Sequence, residues 1–266
     1  MAAPQVARSV GNAPLTDWGM GILDRPPTPP GRGACHLWPV PITDDWVVTG
    51  PLEICERRQA ARYLVHRARQ TFVASRVAQR LIGGHYLGQV AQEVAIDRRC
   101  QSCAADHGRP RWVGNHRLDY SVSHAGDWLL VAVVGSGLVG VDVAQRGDAE
   151  RVGPTQARKA LTPAERRRWM QLPPQERTEG FYQTWCRKEA AVKLTGSGLR
   201  IRPSSVDVSK PTVSLPEAPP PWSSQTIWLR QLRAPTAYSA ALATTVSCHK
   251  IHICGPLTSL LTATHR

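Results

Sequence analysis

A carboxylate set inside an apolar helical stripe constrains this chain most. From Trp185 to Leu199 the sequence reads Trp-Cys-Arg-Lys-Glu-Ala-Ala-Val-Lys-Leu-Thr-Gly-Ser-Gly-Leu, and its spacing predicts a helix that ends in a glycine-flanked turn. Phe181, Trp185 and Val192 fall on one apolar face, and Glu189 lies between Trp185 and Val192 on that same face. A buried carboxylate without a partner is costly or takes up a proton, so Glu189 calls for a cation, a metal or a functional reason. Lys193, one turn later, is one candidate partner. The plain alternative is an exposed Glu189–Lys193 pair worth about 0.2–0.5 kcal/mol.

A chain of 266 residues is long enough for about two domains or one large one. Its 33 Lys and Arg against 20 Asp and Glu give a net charge of +13, which favours an anionic partner: nucleic acid, a phosphorylated small molecule or an acidic protein surface. Seven scattered cysteines, an odd number with no secretory leader, fit a reducing cytoplasm better than a disulfide framework. The longest nearly uncharged run, Leu129 to Val141, is too short and too glycine-rich to span a bilayer. A soluble cytoplasmic protein without a membrane partner is expected.

Residues 1–33 are rich in Pro and Gly and lack an apolar period, which predicts a disordered lead. An opening strand with a turn is expected over Cys35 to Val48. From Glu53 to Tyr86 the pattern is helical, with an apolar stripe through Leu64, Phe72, Val77 and Leu81 and a face crowded by arginines, among them Arg76 and Arg80. That face is either solvated or placed to receive a phosphate. Trp128 to Val134 and Leu138 to Val143 read as strands joined by Gly135-Ser-Gly137, hence a hairpin. In the second strand Val139, Val141 and Val143 share one face, leaving Gly140 and Asp142 on the other, where Gly140 offers room for a ligand beside the acid. Thr162-Pro-Ala-Glu165 has the form of a capped helix start, and Gly196 that of the C-terminal cap of the Glu189 helix. Ile227 to Leu232 and Tyr238 to Thr245 are expected to pair as a hairpin, and residues 248–266 carry no interpretable motif.

Two acids in unfavourable settings, Asp142 on a strand and Glu189 on a later helix, suit a hard divalent cation. Mg²⁺ takes one or two protein carboxylates, waters and substrate phosphate oxygens. The arginine-rich helix and the Ser123-His124 turn supply phosphate partners on the same logic. No Walker-type loop, dinucleotide-binding glycine motif or Gly-x-Ser-x-Gly elbow is present, so the attacking group is expected to belong to a partner.

Gly140-Val-Asp-Val143, then Trp185-Cys-Arg-Lys-Glu-Ala-Ala-Val-Lys193, with Ser123-His124-Ala-Gly126 upstream, resemble the Sfp-type 4′-phosphopantetheinyl transferases of the Trp-x-x-Lys-Glu-Ala class. The resemblance runs from about Cys35 to Thr245 and lies in the ordered set of motifs. It implies an α+β fold of two similar halves related by a pseudo-twofold, here residues 34–137 and 138–247, with coenzyme A between them. It further implies Asp142 and Glu189 as Mg²⁺ ligands, Glu189 as the base for a serine hydroxyl of an acyl or peptidyl carrier protein, and Lys193 as the partner of the pyrophosphate and leaving group. Arg80, Arg109, Ser123 and His124 match positions that hold the coenzyme's phosphates, with Arg76 as the competitor of Arg80 and His124 at the 3′-phosphate. Lys188 and Trp185 complete the motif; Lys188 is placed among the coenzyme-binding residues, and a site-shaping role is open for both. The family often has a second acid two residues after the aspartate, and Ala144 stands there, so a water is expected in its place. Family members of this length imply a monomer, and the carriers would belong to fatty-acid, polyketide or nonribosomal-peptide synthesis.

A second class fits the charge and cysteines: a basic nucleic-acid-binding module with a zinc-stabilised Cys100-Gln-Ser-Cys103 turn, aided by His107 and His116. That class gives no reason for Asp142 or Glu189 to occupy apolar faces.

Overall fold

The computed structural model describes residues 15–19, 22–23, 29–43, 51–100, 103, 105–106, 108–114, 117–146, 152–196, 198–215, 218 and 221–260. It is a mixed α+β fold. In chain order it runs β1 (Ala34–Pro41), α1 (Ile54–Ala61), α2 (His66–Leu87), a short ladder of β2 (Ile96–Asp97) and β3 (Arg111–Trp112), β4 (Asp119–Ala125) and β5 (Trp128–Val134). It continues with β6 (Val139–Gln145), α3 (Pro154–Ala160), α4 (Pro163–Gln171), α5 (Arg177–Thr195), β7 (Thr212–Val213), β8 (Ile227–Leu232), β9 (Tyr238–Thr244) and β10 (Lys250–Ile253).

Two four-stranded sheets form, in the orders β10-β1-β5-β4 and β6-β9-β8-β7. They share a connectivity. In each, a first strand (β1 or β6) leads through a long helix (α2 or α5) to an antiparallel hairpin (β4–β5 or β8–β9), whose second strand pairs antiparallel with the first. One face of the first sheet packs on α2 through Trp38, Val73, Val77, Leu81 and Val131. One face of the second packs on α5 through Ala190, Leu194, Leu229 and Ala241. The remaining faces meet through Leu37, Leu130, Val141, Val143 and Leu242. Every residue of β5 is buried because it has apolar partners on both faces, which accounts for its unbroken run Trp-Leu-Leu-Val-Ala-Val-Val.

The sheets also meet edge to edge. Along β4, alternate side chains stand where a neighbouring strand's carbonyls would be, and the backbone N–H groups of β6 donate to them: Val139 to Asp119 at 2.7 Å, Val141 to Ser121 at 3.1 Å and Val143 to Ser123 at 3.3 Å. The edge N–H groups of a buried strand must find acceptors, and this comb of oxygens provides them without a ladder.

Several expectations are corrected. β5 and β6 are not a hairpin: β5 pairs with β1 and β4, β6 with β9, and the Gly135–Gly137 turn carries the chain from one sheet to the other. The single helix expected from Glu53 to Tyr86 is two, and Leu64, placed on its apolar stripe, is fully exposed between them. Most of the lead lies outside the described residues; within it, Trp18 is buried edge-on against Trp128 at 5.5 Å, and Leu23 bridges to Cys254. The tail is structural as well, since β10 pairs in parallel with β1 and Cys254, Leu257 and Leu260 join the first core. The capped start of α4 is present: Glu165 N–H donates to Thr162 Oγ1 at 3.2 Å, and Thr162 N–H donates to the Glu165 carboxylate at 2.9 Å. Gly196 ends α5 with φ 69°, in the left-handed region.

Candidate functional site

Where the edges of β4 and β6 meet, the facing helices α2 and α5 leave a cleft of about 520 Å³. Ser75, Arg76 and Gln79 of α2 line it with Arg98 and the segment around Gly108 and Pro110; Ser123 and His124 of β4, Asp142 of β6, and Trp185, Glu189 and Lys193 of α5 complete it.

Gly140 makes the acidic side of this cleft possible, for a reason other than the one its sequence suggests. A Cβ there would lie 2.0 Å from Ala190 O and 2.7 Å from Leu194 N. The space beside Asp142 is therefore filled by the backbone of α5, not by a ligand. The close approach of helix to strand brings Glu189 and Lys193 onto Asp142. Asp142 is only 5% exposed; its Oδ1 accepts from Lys193 Nζ at 2.6 Å and from the Ser123 hydroxyl at 2.9 Å. Lys193 Nζ also donates to Ser123 Oγ at 2.6 Å. The helix partner foreseen for Glu189 has thus been drawn away to Asp142, and no hydrogen bond or ion pair of the Glu189 carboxylate is found among the described residues. Burial, and then the Asp142 charge, hold the Glu189 carboxyl above the usual range, with Lys193 opposing. Burial, reinforced by Lys193, lowers the pKa of His124 on the cleft rim. Trp185 stacks on Phe181 and forms a wall beside Glu189.

Three of the foreseen coenzyme-binding residues lie elsewhere. Arg80 is 1% exposed and committed to Glu53, Glu56 and the carbonyl of Val94; Arg76, its competitor one turn earlier, faces the cleft. Arg109 forks onto both oxygens of Asp119, with Nη1 to Oδ1 at 2.6 Å, and donates to Val139 O at 2.7 Å, which ties the start of β4 to the start of β6. Lys188 is wholly buried on the far side of α5, where Nζ meets Glu165 at 2.6 Å, Pro203 O at 2.7 Å and Val206 O. Glu165 also accepts from Val208 N–H at 2.8 Å, so this lysine fixes the rotation of α5 that turns Glu189 to the cleft. In the motif Lys-Glu-Ala, the lysine is an anchor and the glutamate faces the site.

Arg98 was not foreseen, because a basic residue in the loop Asp97-Arg-Arg-Cys100 carries no periodic signal. Among the described residues no cluster of three or more His, Cys, Asp or Glu side chains could hold a metal; His107 and His116, the histidines of the zinc reading, lie outside the described residues.

Two carboxylates and a lysine thus face two guanidiniums across the cleft, the acids of a kind suited to a hard cation and the arginines of a kind suited to phosphate oxygens. The sequence comparisons agree. Residues 138–243 match the model of the 4′-phosphopantetheinyl transferase superfamily. The chain is 27% identical over 169 residues to slr0495 of Synechocystis sp., named provisionally as a 4′-phosphopantetheinyl transferase, covering 62% of this chain and 65% of slr0495. It is 28% identical over 179 residues to the 4′-phosphopantetheinyl transferase HetI of Nostoc sp., covering 62% of this chain and 69% of HetI. The match thus spans less than two thirds of the length of slr0495 and slightly more than two thirds of that of HetI. No helix among the described residues is long and apolar enough to cross a membrane.

Proposed function

We propose that the protein transfers the 4′-phosphopantetheine group of coenzyme A to a serine hydroxyl of a carrier protein domain, in the Sfp-type arrangement of two halves in one monomeric chain, with Mg²⁺ as cofactor. The observation that carries this reading is the convergence of Asp142, Glu189 and Lys193 on one side of a cleft whose other side presents Arg76 and Arg98. Glu189 is a half-buried acid with no hydrogen bond among the described residues, and its charge is opposed by that of Asp142; a hard cation with an appetite for oxygen ligands fits this pair. Asp142 and Glu189 would hold the ion, with a water where Ala144 stands. When bound, it supplies neutralisation of charge on the pyrophosphate oxygens.

The chain's own residues do the rest. Arg76, Arg98 and His124 face the 3′-phosphate, and Trp185 walls the reacting end. Glu189, with a carboxyl held above the ordinary range, accepts the proton of the carrier serine. The serine oxygen bonds to the β-phosphorus, the bond from that phosphorus to the bridging oxygen breaks, and 3′,5′-adenosine bisphosphate leaves. Lys193, already beside Asp142, stabilises the charge that builds on the departing oxygens. The net charge of +13 favours encounter with an acidic carrier.

Incubation with an apo carrier, coenzyme A and Mg²⁺, followed by intact-mass measurement, is expected to add one phosphopantetheine to the carrier serine. An unmodified carrier, with salt-sensitive binding to arbitrary duplex DNA in its place, would instead support the nucleic-acid class.

A further inference from the structure

We propose that Glu56, on α1 and away from the reacting atoms, is a positioning residue that holds Arg76 and Arg98 against the cleft as a paired receptor for the phosphate monoester of the ligand, coenzyme A on the reading above. Its carboxylate is buried and its two oxygens have different tasks. Oε2 accepts from Arg80 at 3.1 and 3.2 Å and from the backbone N–H of Glu53 at 3.0 Å, which locks α1 to α2. Oε1 faces Arg76 Nε at 3.6 Å and Arg98 Nη1 at 3.8 Å and makes no hydrogen bond among the described residues.

Those separations are too long for good hydrogen bonds, so Glu56 contributes charge to the two arginines. The need for it is plain: Arg76, Arg80 and Arg98 would otherwise be three guanidiniums crowded around one buried point. Burial and the neighbouring Arg98 bring Arg76 down to about 10, and burial also lowers Arg98. Counting Glu53, three guanidiniums meet two carboxylates in this cluster; Arg76 and Arg98 line the cleft, as does Asp106. Arg98 is held from a second direction, since its Nη2 donates to Gln79 Oε1 at 3.2 Å and Gln79 is itself fixed by Ser75 and Tyr120. A dianionic monoester is the group that makes use of two guanidiniums set side by side.

The test compares coenzyme A with dephospho-coenzyme A, which lacks only the 3′-phosphate, measuring Kd by calorimetry and KM and kcat by transfer. Glu56→Gln keeps the volume and the contacts to Arg80 and Glu53 but removes the charge. It is expected to raise Kd and KM for coenzyme A roughly tenfold, to leave dephospho-coenzyme A and saturated kcat nearly unchanged, and so to erase most of the preference for the phosphorylated form. Arg98→Gln, which leaves the Glu56–Arg80 pair intact, should erase it too, and decides alone if the first variant does not fold. An undiminished preference in a folded variant, or equal weakening toward both ligands, overturns the role of Glu56. Wild-type protein that binds both ligands equally overturns it while leaving transfer standing; wild-type protein that binds neither overturns both.

Discussion

The two four-stranded sheets share a connectivity, and the long helices packed on them differ in what they bring to the cleft. Beside the first sheet α2 offers Arg76, with Arg98 next to it from the segment after β2 and Glu56 behind both; beside the second α5 offers Glu189 and Lys193, brought onto Asp142 by Gly140. The support differs in kind. Charge is balanced by the buried Glu56 and the exposed Glu53 behind α2, whereas behind α5 the anchor is Lys188 in a nest of Glu165 and two carbonyls. One strand–helix–hairpin plan thus serves opposite electrostatic roles, set by which residues are buried behind each helix.

If the acids carry the chemistry, Asp142→Ala and Glu189→Ala each abolish transfer, by at least about 10²–10³-fold in kcat, and a divalent chelator does the same to wild type; full activity in either variant contradicts the assignment. The anchors should behave differently. Arg109→Ala leaves Asp119 buried and uncompensated, and Lys188→Ala does the same to Glu165, so urea unfolding should show each losing about 3–5 kcal/mol of stability. For Arg109→Ala, coenzyme A affinity of the folded fraction should stay near wild type.

A smaller effect of opposite sign is expected from Glu189→Gln. Burial and Asp142 raise the Glu189 pKa in the folded state, so its ionised form costs stability once pH rises through that raised value. Below the unfolded-state value of about 4.3 the cost is absent. The variant should therefore melt higher than wild type at pH 7 and lose that advantage in acid; a lower melting temperature at pH 7 contradicts a strained acid. The smallest effect is expected at Ala144→Gln, where transfer should be largely retained.

How much of this could be read from residues alone differs by half. The C-terminal half was largely legible: the alternation that separates Asp142 from Val141 and Val143, the Thr162–Glu165 cap and the Gly196 stop are local patterns, and each is present. Periodicity also flagged Glu189 as misplaced. It did not assign Lys193 to Asp142 or Lys188 to Glu165, because those pairings depend on contacts many residues apart. In the first half the arginine-rich pattern looked uniform, yet Arg80 is buried and Arg76 lines the cleft; one helical turn separates a structural ion pair from a ligand wall. The mistaken β5–β6 hairpin and the missed β10 share a cause. A glycine turn signals reversal without naming the partner, and a four-residue strand that pairs with β1 after crossing almost the whole chain leaves no local trace.

Calorimetric titration of coenzyme A, with and without Mg²⁺, into wild type and Asp142→Ala is the most direct test of a ligand divided between the two halves. The structure predicts that wild type binds coenzyme A and binds it more tightly with Mg²⁺, and that Asp142→Ala loses the Mg²⁺ enhancement while keeping the metal-independent affinity contributed by the arginine wall. Absence of coenzyme A binding in wild type, or an Mg²⁺ enhancement that survives in Asp142→Ala, would contradict it.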